Sequence, residues 1–264
     1  MVKILDGKKA ATVILRNLKK RVGKKKINLV ILQVGHRPDS DIYIRQKLRA
    51  AETVGLRARL IQLPNSVSQT ALMRRIKMLN HDRLVHGILL QLPLPSHLDT
   101  QRIIDTISLS KDVDGFRPEG PVTSPLILSL LKLLTMAAPK KASSAVLLES
   151  SSVFSRALSK HLETRGYTVR QFGAERTIPS ATKTADLVIT VRGRGPKLFS
   201  RHLKKGVILL DAGIRKFEHH TTGDADRSCE IVASAISPVP GGVGPLTVAY
   251  ALSNLVQLAN KKRG

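Results

Sequence analysis

Two kinds of apolar pattern alternate along the chain. Short unbroken runs rich in Val, Ile and Leu take turns with longer stretches in which apolar residues return every three or four positions. INLVILQV (27–34) reads as a buried strand, HGILLQLPLP (86–95) as a strand running into a Pro-rich turn, and LRARLIQL (56–63) alternates as a strand. Residues 7–22 place Ala11, Ile14, Leu15 and Leu18 on one helical face. A second helix covers about 41–54, with Asp39 and Ser40 as capping residues and Gly55 as its stop, and a third covers 68–80. A second unit begins near Pro121. It opens with a helix over 125–136 and a strand over 144–150, then a Ser-rich turn and a helix through about His161. YTVRQF, DLVITV and GVILLDAGI, starting at 167, 186 and 206, supply further strands, and 245–260 forms a last amphipathic helix through Val248, Leu252, Leu255 and Leu258. Strands alternating with helices imply parallel sheets, so the expected class is α/β. The expected domains are 1–120 together with the terminal helix 245–264, and 121–244.

Composition agrees with a folded protein: 42% of residues are apolar and 24% charged. No apolar run reaches the ~18 residues of a membrane-spanning helix, so no membrane partner is expected. The N-terminus lacks the apolar core of a secretory signal, and Asp6 together with the absence of Ser and of Arg before Arg16 argues against a transit peptide. One cysteine, Cys229, excludes an internal disulfide and a thiolate metal cluster, and fits a reducing compartment; no metal is expected, and the cytoplasm is the expected location, with an organelle matrix left open. Charge changes the picture more. The 44 Lys and Arg against 19 Asp and Glu give +25, with a dense cluster at Lys19, Lys20, Arg21, Lys24, Lys25 and Lys26 and others at Lys140, Lys141, Arg192, Arg194, Lys204 and Lys205. Such a field attracts polyanions. Aromatic residues are only 3%, so RNA, if bound, would be held through phosphates with little base readout.

Four motifs carry candidate chemistry. Tyr43 and Lys47 are four apart on one helix face, where a ring can stack on a flat heterocycle while an amine works at its edge; at that spacing the same pair is also an ordinary solvated face. Gln91 follows an apolar strand, the place where ligands bind in open α/β sheets, or it simply ends the strand. In KDVDGF, Asp112 and Asp114 precede Gly115; a carboxylate there can accept two adjacent N–H bonds or cap a turn. PVPGGVGPLTV (238–248) is a stiff Pro/Gly loop leading into the last helix, where backbone N–H groups can meet a ligand.

Together and in this order, the motifs resemble the bifunctional methylenetetrahydrofolate dehydrogenase/cyclohydrolase family: Y-x-x-x-K at Tyr43 and Lys47, Q-L-P-L-P at Gln91–Pro95, K-D-V-D-G-F at Lys111–Phe116, P-V-P-G-G-V-G-P at Pro238–Pro245, and D-V-G-I as Asp211, Ala212, Gly213 and Ile214. The resemblance implies an N-terminal α/β folate domain, a C-terminal Rossmann-like parallel-sheet domain for NADP, a last helix packing back on the first domain, and a cleft between the two domains. It implies oxidation of 5,10-methylenetetrahydrofolate to the methenyl compound and hydrolysis to 10-formyltetrahydrofolate, a step of one-carbon metabolism. Lys47 would be the central catalytic residue, Gln91 its hydrogen-bond partner, Asp114 the holder of the pterin edge and Tyr43 its stacking ring. Ser40, Pro238, Gly241 and Gly242 would complete the substrate site, Glu149, Ser150, Ser151 and Ile214 the cofactor site. Family members pair through a sheet edge, so a homodimer is expected.

The second domain departs from the family. Its phosphate turn, roughly G-R-S-x-x-V-G-x-P, is Glu149–Ala157 here and has lost both glycines; H-S-x-T is replaced by Gly173, Ala174, Glu175 and Arg176. C-T-P-x-G survives as Val122, Thr123, Ser124 and Pro125, and about a dozen residues before it are absent. Arg156, Arg170 and Arg176 are candidates for a 2′-phosphate. Two readings follow: an enzyme with a weakened NADP site, in which cyclohydrolase activity can outlast dehydrogenase activity, or a catalytically degraded relative that serves as a basic RNA- or ribosome-associated protein.

Overall fold

The computed structural model describes residues 1–261 except 37, 140–142, 150–151, 174–176, 194, 196 and 217–220. In chain order the elements are β1 (Lys3–Ile4), α1 (Gly7–Val22), β2 (Asn28–Val34), α2 (Pro38–Thr53), β3 (Arg57–Leu63), α3 (Gln69–His81), β4 (Gly87–Leu90), α4 (Thr100–Thr106) and α5 (Pro125–Ala137). They continue with β5 (Ser144–Leu148), α6 (Ser152–Glu163), β6 (Thr168–Phe172), β7 (Leu187–Thr190), β8 (Ile208–Asp211), β9 (Arg215–Lys216), β10 (Thr221–Thr222), β11 (Ala235–Ile236) and α7 (Val243–Lys261). The chain divides into two compact units, Ala11–Pro125 with Thr247–Gly264, and Met1–Ala10 with Leu126–Leu246.

The first unit is a three-layer α/β/α body around a parallel sheet ordered β3–β2–β4. Side chains of the central strand alternate between two cores. Leu29 and Ile31 pack with Leu18 and Val22 of α1, Ile44 of α2, and Leu252 and Leu255 of α7. Val30, Leu32 and Val34 pack with Leu72 and Ile76 of α3 and Ile103 of α4 on the other face. This two-sided burial explains why β2 reads as an unbroken apolar run, each such side chain adding about 1.5–3 kcal/mol. The terminal helix belongs to this unit, as expected: Asn254 Nδ2 donates to the carbonyls of Val113 (3.0 Å) and Thr123 (2.9 Å), and Gln257 Nε2 to that of Pro121 (3.0 Å).

In the first unit two boundaries and one element differ from the sequence reading. α2 begins at Pro38, so Asp39 and Ser40 lie in its first turn instead of capping it; proline's fixed φ suits a first helical position. Regular pairing of the 86–95 run stops at Leu90, because Pro93 and Pro95 have no N–H to donate. α4 was not anticipated, although Asp99 caps it by accepting from Arg102 N at 3.0 Å.

The second unit is a six-stranded, wholly parallel sheet in the order β1–β11–β8–β7–β5–β6, with a small antiparallel pair, β9–β10, beside it. Val146, Leu148, Val188 and Leu209 carry its core. β5 has β6 on one side and β7 on the other, so the connections change direction between β5 and β7. That is the topological switch point at which open α/β sheets bind ligands.

Candidate active site

Four of the predicted residues converge on the first unit. α2 leaves the carboxyl end of β2 and carries Tyr43 and Lys47 one turn apart, both half-buried. Gln91 follows β4 and still donates its backbone N–H to Leu32 O (2.8 Å), which fixes it at the same edge of the sheet. The KDVDGF segment runs alongside β4 through Ile88 N to Lys111 O (2.7 Å) and Val113 N to Ile88 O (3.3 Å), which brings Asp114 beside it.

Lys47 Nζ donates to Gln91 Oε1 at 3.0 Å. The amide cannot easily turn over, because its Nε2 donates to Leu92 O at 2.8 Å. A carboxamide oxygen accepts from a charged or a neutral amine alike, so Gln91 orients Lys47 without adding a negative charge that would keep it protonated. Burial pushes the Lys47 amine below the ordinary lysine range, and the Asp114 carboxylate partly opposes that. Asp114 is in turn pushed up to about 6 by its burial; Lys47 draws it down and Asp112 adds to the rise.

The two aspartates of KDVDGF divide their tasks. Asp112 accepts from Gly115 N (3.0 Å) and Phe116 N (2.9 Å) and so caps the turn. Gly115 adopts φ +55°, and a Cβ there would stand 2.7 Å from Val122 O, so the turn needs glycine. Lys111 is 1% exposed and donates to Leu79 O and Asp82 O, both at 2.7 Å, at the carboxyl end of α3. Lys111, Asp112 and Gly115 thus shape the segment and Asp114 is its chemical member. Ser40 is buried in the first turn of α2. Beside it the structure shows a group the motifs did not reveal: Asp41 accepts from Gln33 Nε2 and pairs with His36 Nε2, both at 2.8 Å.

The remaining predicted residues lie on the second unit. Gly241, at φ +112°, accepts from Lys8 N (2.9 Å) through its carbonyl, and Gly242 N donates to Pro238 O (2.7 Å), so the Pro/Gly loop is pinned to the start of α1. Glu149 ends β5 at the switch point. It is buried, and one carboxylate oxygen accepts from Ser155 Oγ (3.2 Å) in the first turn of α6. Ser150, Ser151 and Arg176 lie outside the described residues, as do Lys140, Lys141 and Arg194. Arg156 and Arg170 are exposed, and Arg170 stacks over Phe172. Arg192, singled out only for its charge, sends Nη2 to Gly173 O (2.9 Å), just past the end of β6.

Two buried aspartates organise the carboxyl ends of β7 and β8. Asp224 Oδ2 accepts from Thr190 Oγ1 (2.7 Å), Arg192 N (2.8 Å) and Gly193 N (3.2 Å); Asp211 accepts from Gly213 N (2.9 Å) and Ala225 N (2.8 Å). Burial pushes Asp211 up to about 7 against the pull of its backbone donors. Each carboxyl group occupies the space a side chain would need at a glycine of the other segment, Asp224 over Gly213 and Asp211 over Gly223. Ile214, 39% exposed, follows this turn, and Gly193 packs close to its carbonyl. The turns after β7 and β8 and Arg192 lie at the carboxyl edge of this sheet, the edge at which open α/β sheets take up dinucleotides. At the β5–α6 turn a carboxylate stands where a glycine would admit phosphate.

A model described as tetrahydrofolate dehydrogenase/cyclohydrolase, catalytic domain, matches residues 5–114, and its NAD(P)-binding domain matches residues 121–263. The bifunctional protein FolD of Magnetococcus marinus is 35% identical over 282 residues, covering 99% of this chain and 98% of that protein. The crystal structure of bifunctional FolD from Campylobacter jejuni has a TM-score of 0.91 at 34% identity, covering 99% of this chain and 100% of that one. The Trypanosoma brucei N5,N10-methylenetetrahydrofolate dehydrogenase-cyclohydrolase, solved with NADP and an inhibitor, has a TM-score of 0.88 at 25% identity and covers 99% of this chain and 98% of its own.

Proposed function

Because this chain belongs to the tetrahydrofolate dehydrogenase/cyclohydrolase family, we propose that it oxidises 5,10-methylenetetrahydrofolate to the methenyl compound with NADP and hydrolyses that product to 10-formyltetrahydrofolate, with Lys47 at the centre of the site. The observation that carries this reading is the hydrogen bond from Lys47 to Gln91 within the field of Asp114. NADP, bound by the second unit, supplies the hydride acceptor. Tyr43 offers a ring one turn from the amine, on which a flat pterin stacks, and Asp114 accepts the N–H groups along the pterin edge. The methenyl bridge is a cation. Water adds to its carbon as the iminium electron pair returns to nitrogen, and a neutral amine at Lys47 takes the proton that the attacking water releases; the resulting carbinol then collapses to the 10-formyl group as the carbon–N5 bond breaks and the hydroxyl proton ends on N5. Burial favours that neutral form, and the adjacent cationic substrate favours it further. Ser40 and the Pro238–Gly242 loop complete the proposed substrate contacts; Glu149, Ser150, Ser151 and Ile214 are proposed to border the cofactor, and Arg192 is proposed to meet its 2′-phosphate.

The test is a coupled assay of methylenetetrahydrofolate oxidation and methenyl hydrolysis, with NADP and with NAD, run beside Lys47→Met. The substitution keeps the volume of the side chain and removes the amine, and should cost the hydrolysis about 10²-fold or more. Hydrolysis by Lys47→Met at the parent rate would remove Lys47 from the mechanism.

We place the protein in the cytoplasm as a homodimer. The support is one buried free thiol and the exposed edge strand β6, along which a second copy can pair. Sedimentation of the purified chain reads the oligomeric state directly.

A further inference from the structure

The positive charge is unevenly placed. From Gly7 to Pro38 there are ten Lys and Arg and no Asp or Glu, while the other 34 cations share the chain with all 19 carboxylates. What sets this stretch apart is its density of cations, ten in 32 positions against 34 in the other 232, about twice as high. The densest part, KKRVGKKK from Lys19 to Val22 and on to Lys26, forms the last turn of α1 and the turn after it, and all six of its cations are exposed.

The fold adds to this cluster. Arg57, at the start of β3, donates its N–H to Ile27 O (2.9 Å), and Lys25 Nζ donates to Asn260 Oδ1 (3.0 Å) near the end of α7, next to Lys261. Gly55, just past α2, lies against Val22. The carboxyl ends of α1, α2 and α7 and the amino ends of β2 and β3 therefore share one end of the first unit. Among the described residues none of these eight cations pairs with a carboxylate, and Glu52 is the acid nearest in sequence to Arg57. Helix dipoles favour cations in a last helical turn, but Lys24, Lys25 and Lys26 lie beyond it. Gln91 and Lys47 belong to the opposite, carboxyl edge of the same parallel sheet, about 20 Å away along seven-residue β2. The first aromatic residue of the chain is Tyr43, so the basic end has no ring from its own helix or turn on which a base could stack.

We propose that this basic end docks on the phosphate backbone of a nucleic-acid duplex, without reading sequence and with the catalytic edge left open. Phosphodiester chemistry fits because it presents closely spaced, fully ionised anions and requires neither stacking nor apolar insertion. The inference does not depend on the proposed catalytic roles.

The experiment is fluorescence anisotropy of the full-length protein with a labelled RNA duplex of about 20 base pairs, titrated at several salt concentrations. Saturable binding at low salt should weaken with a log–log slope of about −4, which is roughly 250-fold between 50 and 200 mM. Replacing Lys19, Lys20, Arg21, Lys24, Lys25 and Lys26 by Gln should weaken binding at low salt by about 100-fold and flatten the slope, with methylenetetrahydrofolate oxidation unchanged. A matched variant with Gln at Arg74, Lys77, Arg83, Arg102, Lys183 and Lys205 has the same net charge and should lose far less. The pair Lys24→Glu and Lys26→Glu, confined to an exposed turn, repeats the test with little risk to folding. Absence of binding at 50 mM salt, equal losses in the matched variant, or binding to phosphatidylglycerol vesicles but not to the duplex would each overturn the proposal.

Discussion

Gly213→Ala is a small change with a large expected cost. The added methyl would overlap the Asp224 carboxyl group: the farther oxygen would stand 2.7 Å from it and the nearer one closer still. Carbon contacts are comfortable at about 3.5 Å, so the carboxylate must move by about 1 Å. It cannot do so freely, because Oδ2 holds Thr190 Oγ1, Arg192 N and Gly193 N. Overpacking costs about 1–3 kcal/mol, and each hydrogen bond to an ionised group is worth about 1.5–3 kcal/mol. Losing two of the three bonds brings the total to about 4 kcal/mol or more, a large part of the 5–15 kcal/mol that holds most domains together. Urea unfolding followed by circular dichroism measures it, and calorimetric titration with NADP measures the accompanying disorder of the β7 and β8 turns. Gly244→Ala is the control: nothing lies within 4 Å of the new methyl, the residue is helical, and stability should hold or rise by up to about 1 kcal/mol. Adding Asp224→Ser to Gly213→Ala should recover part of the loss, a coupling that two independent substitutions would not show. A loss below about 1 kcal/mol for Gly213→Ala would refute the packing argument.

Other substitutions test the site. Gln91→Glu puts a carboxylate against the Lys47 amine and should hold it protonated; hydrolysis should fall and its pH optimum should move upward, whereas an unchanged pH profile would mean that Lys47 does not titrate in the reaction. Asp114 titrates in the fold at about 6 against an ordinary 3.8, so between those values the folded state binds the extra proton and stability falls as pH rises. Asp114→Asn should therefore stabilise the protein near pH 8, by up to about 2 kcal/mol given its half-burial, with no gain near pH 4; urea midpoints at the two pH values check it. Glu149→Gly removes a buried carboxylate from the phosphate turn and should tighten NADP about fivefold or more by calorimetry, since like charges at ~4 Å cost ~1 kcal/mol even in high dielectric.

Sequence pattern disclosed the fold where burial is simple. β2 is apolar because both its faces are covered, and α7 shows one apolar face because one face packs against Leu18, Ile31 and Val54. It failed where elements are too short to have a period: β1 and β11 have two residues each, and only the neighbouring strands of the sheet define them. α4 was hidden for a related reason, since seven residues give two apolar contacts and little rhythm. In the candidate site, motif strings pointed to Lys47 and Gln91, but no spacing rule could bring residues 44 positions apart to 3.0 Å; only the register of β2 with β4 does that. The Asp211–Asp224 arrangement was invisible because its two glycines look like ordinary loop residues until the carboxyl groups seated on them are seen. The Asp41–Gln33–His36 group is hidden because Gln33 sits in an apolar strand run, Asp41 in a helix and His36 between them, and no motif joins the three.

The position of β1 bears on how the protein is made. Lys3 and Ile4 are translated long before their neighbour in the sheet, Ala235–Ile236, and Lys8 N waits for Gly241 O. The six-stranded sheet therefore cannot be completed before β11 has been made, by which point all of the first unit except α7 has been synthesised. A truncation after β10 would leave β1 without any partner.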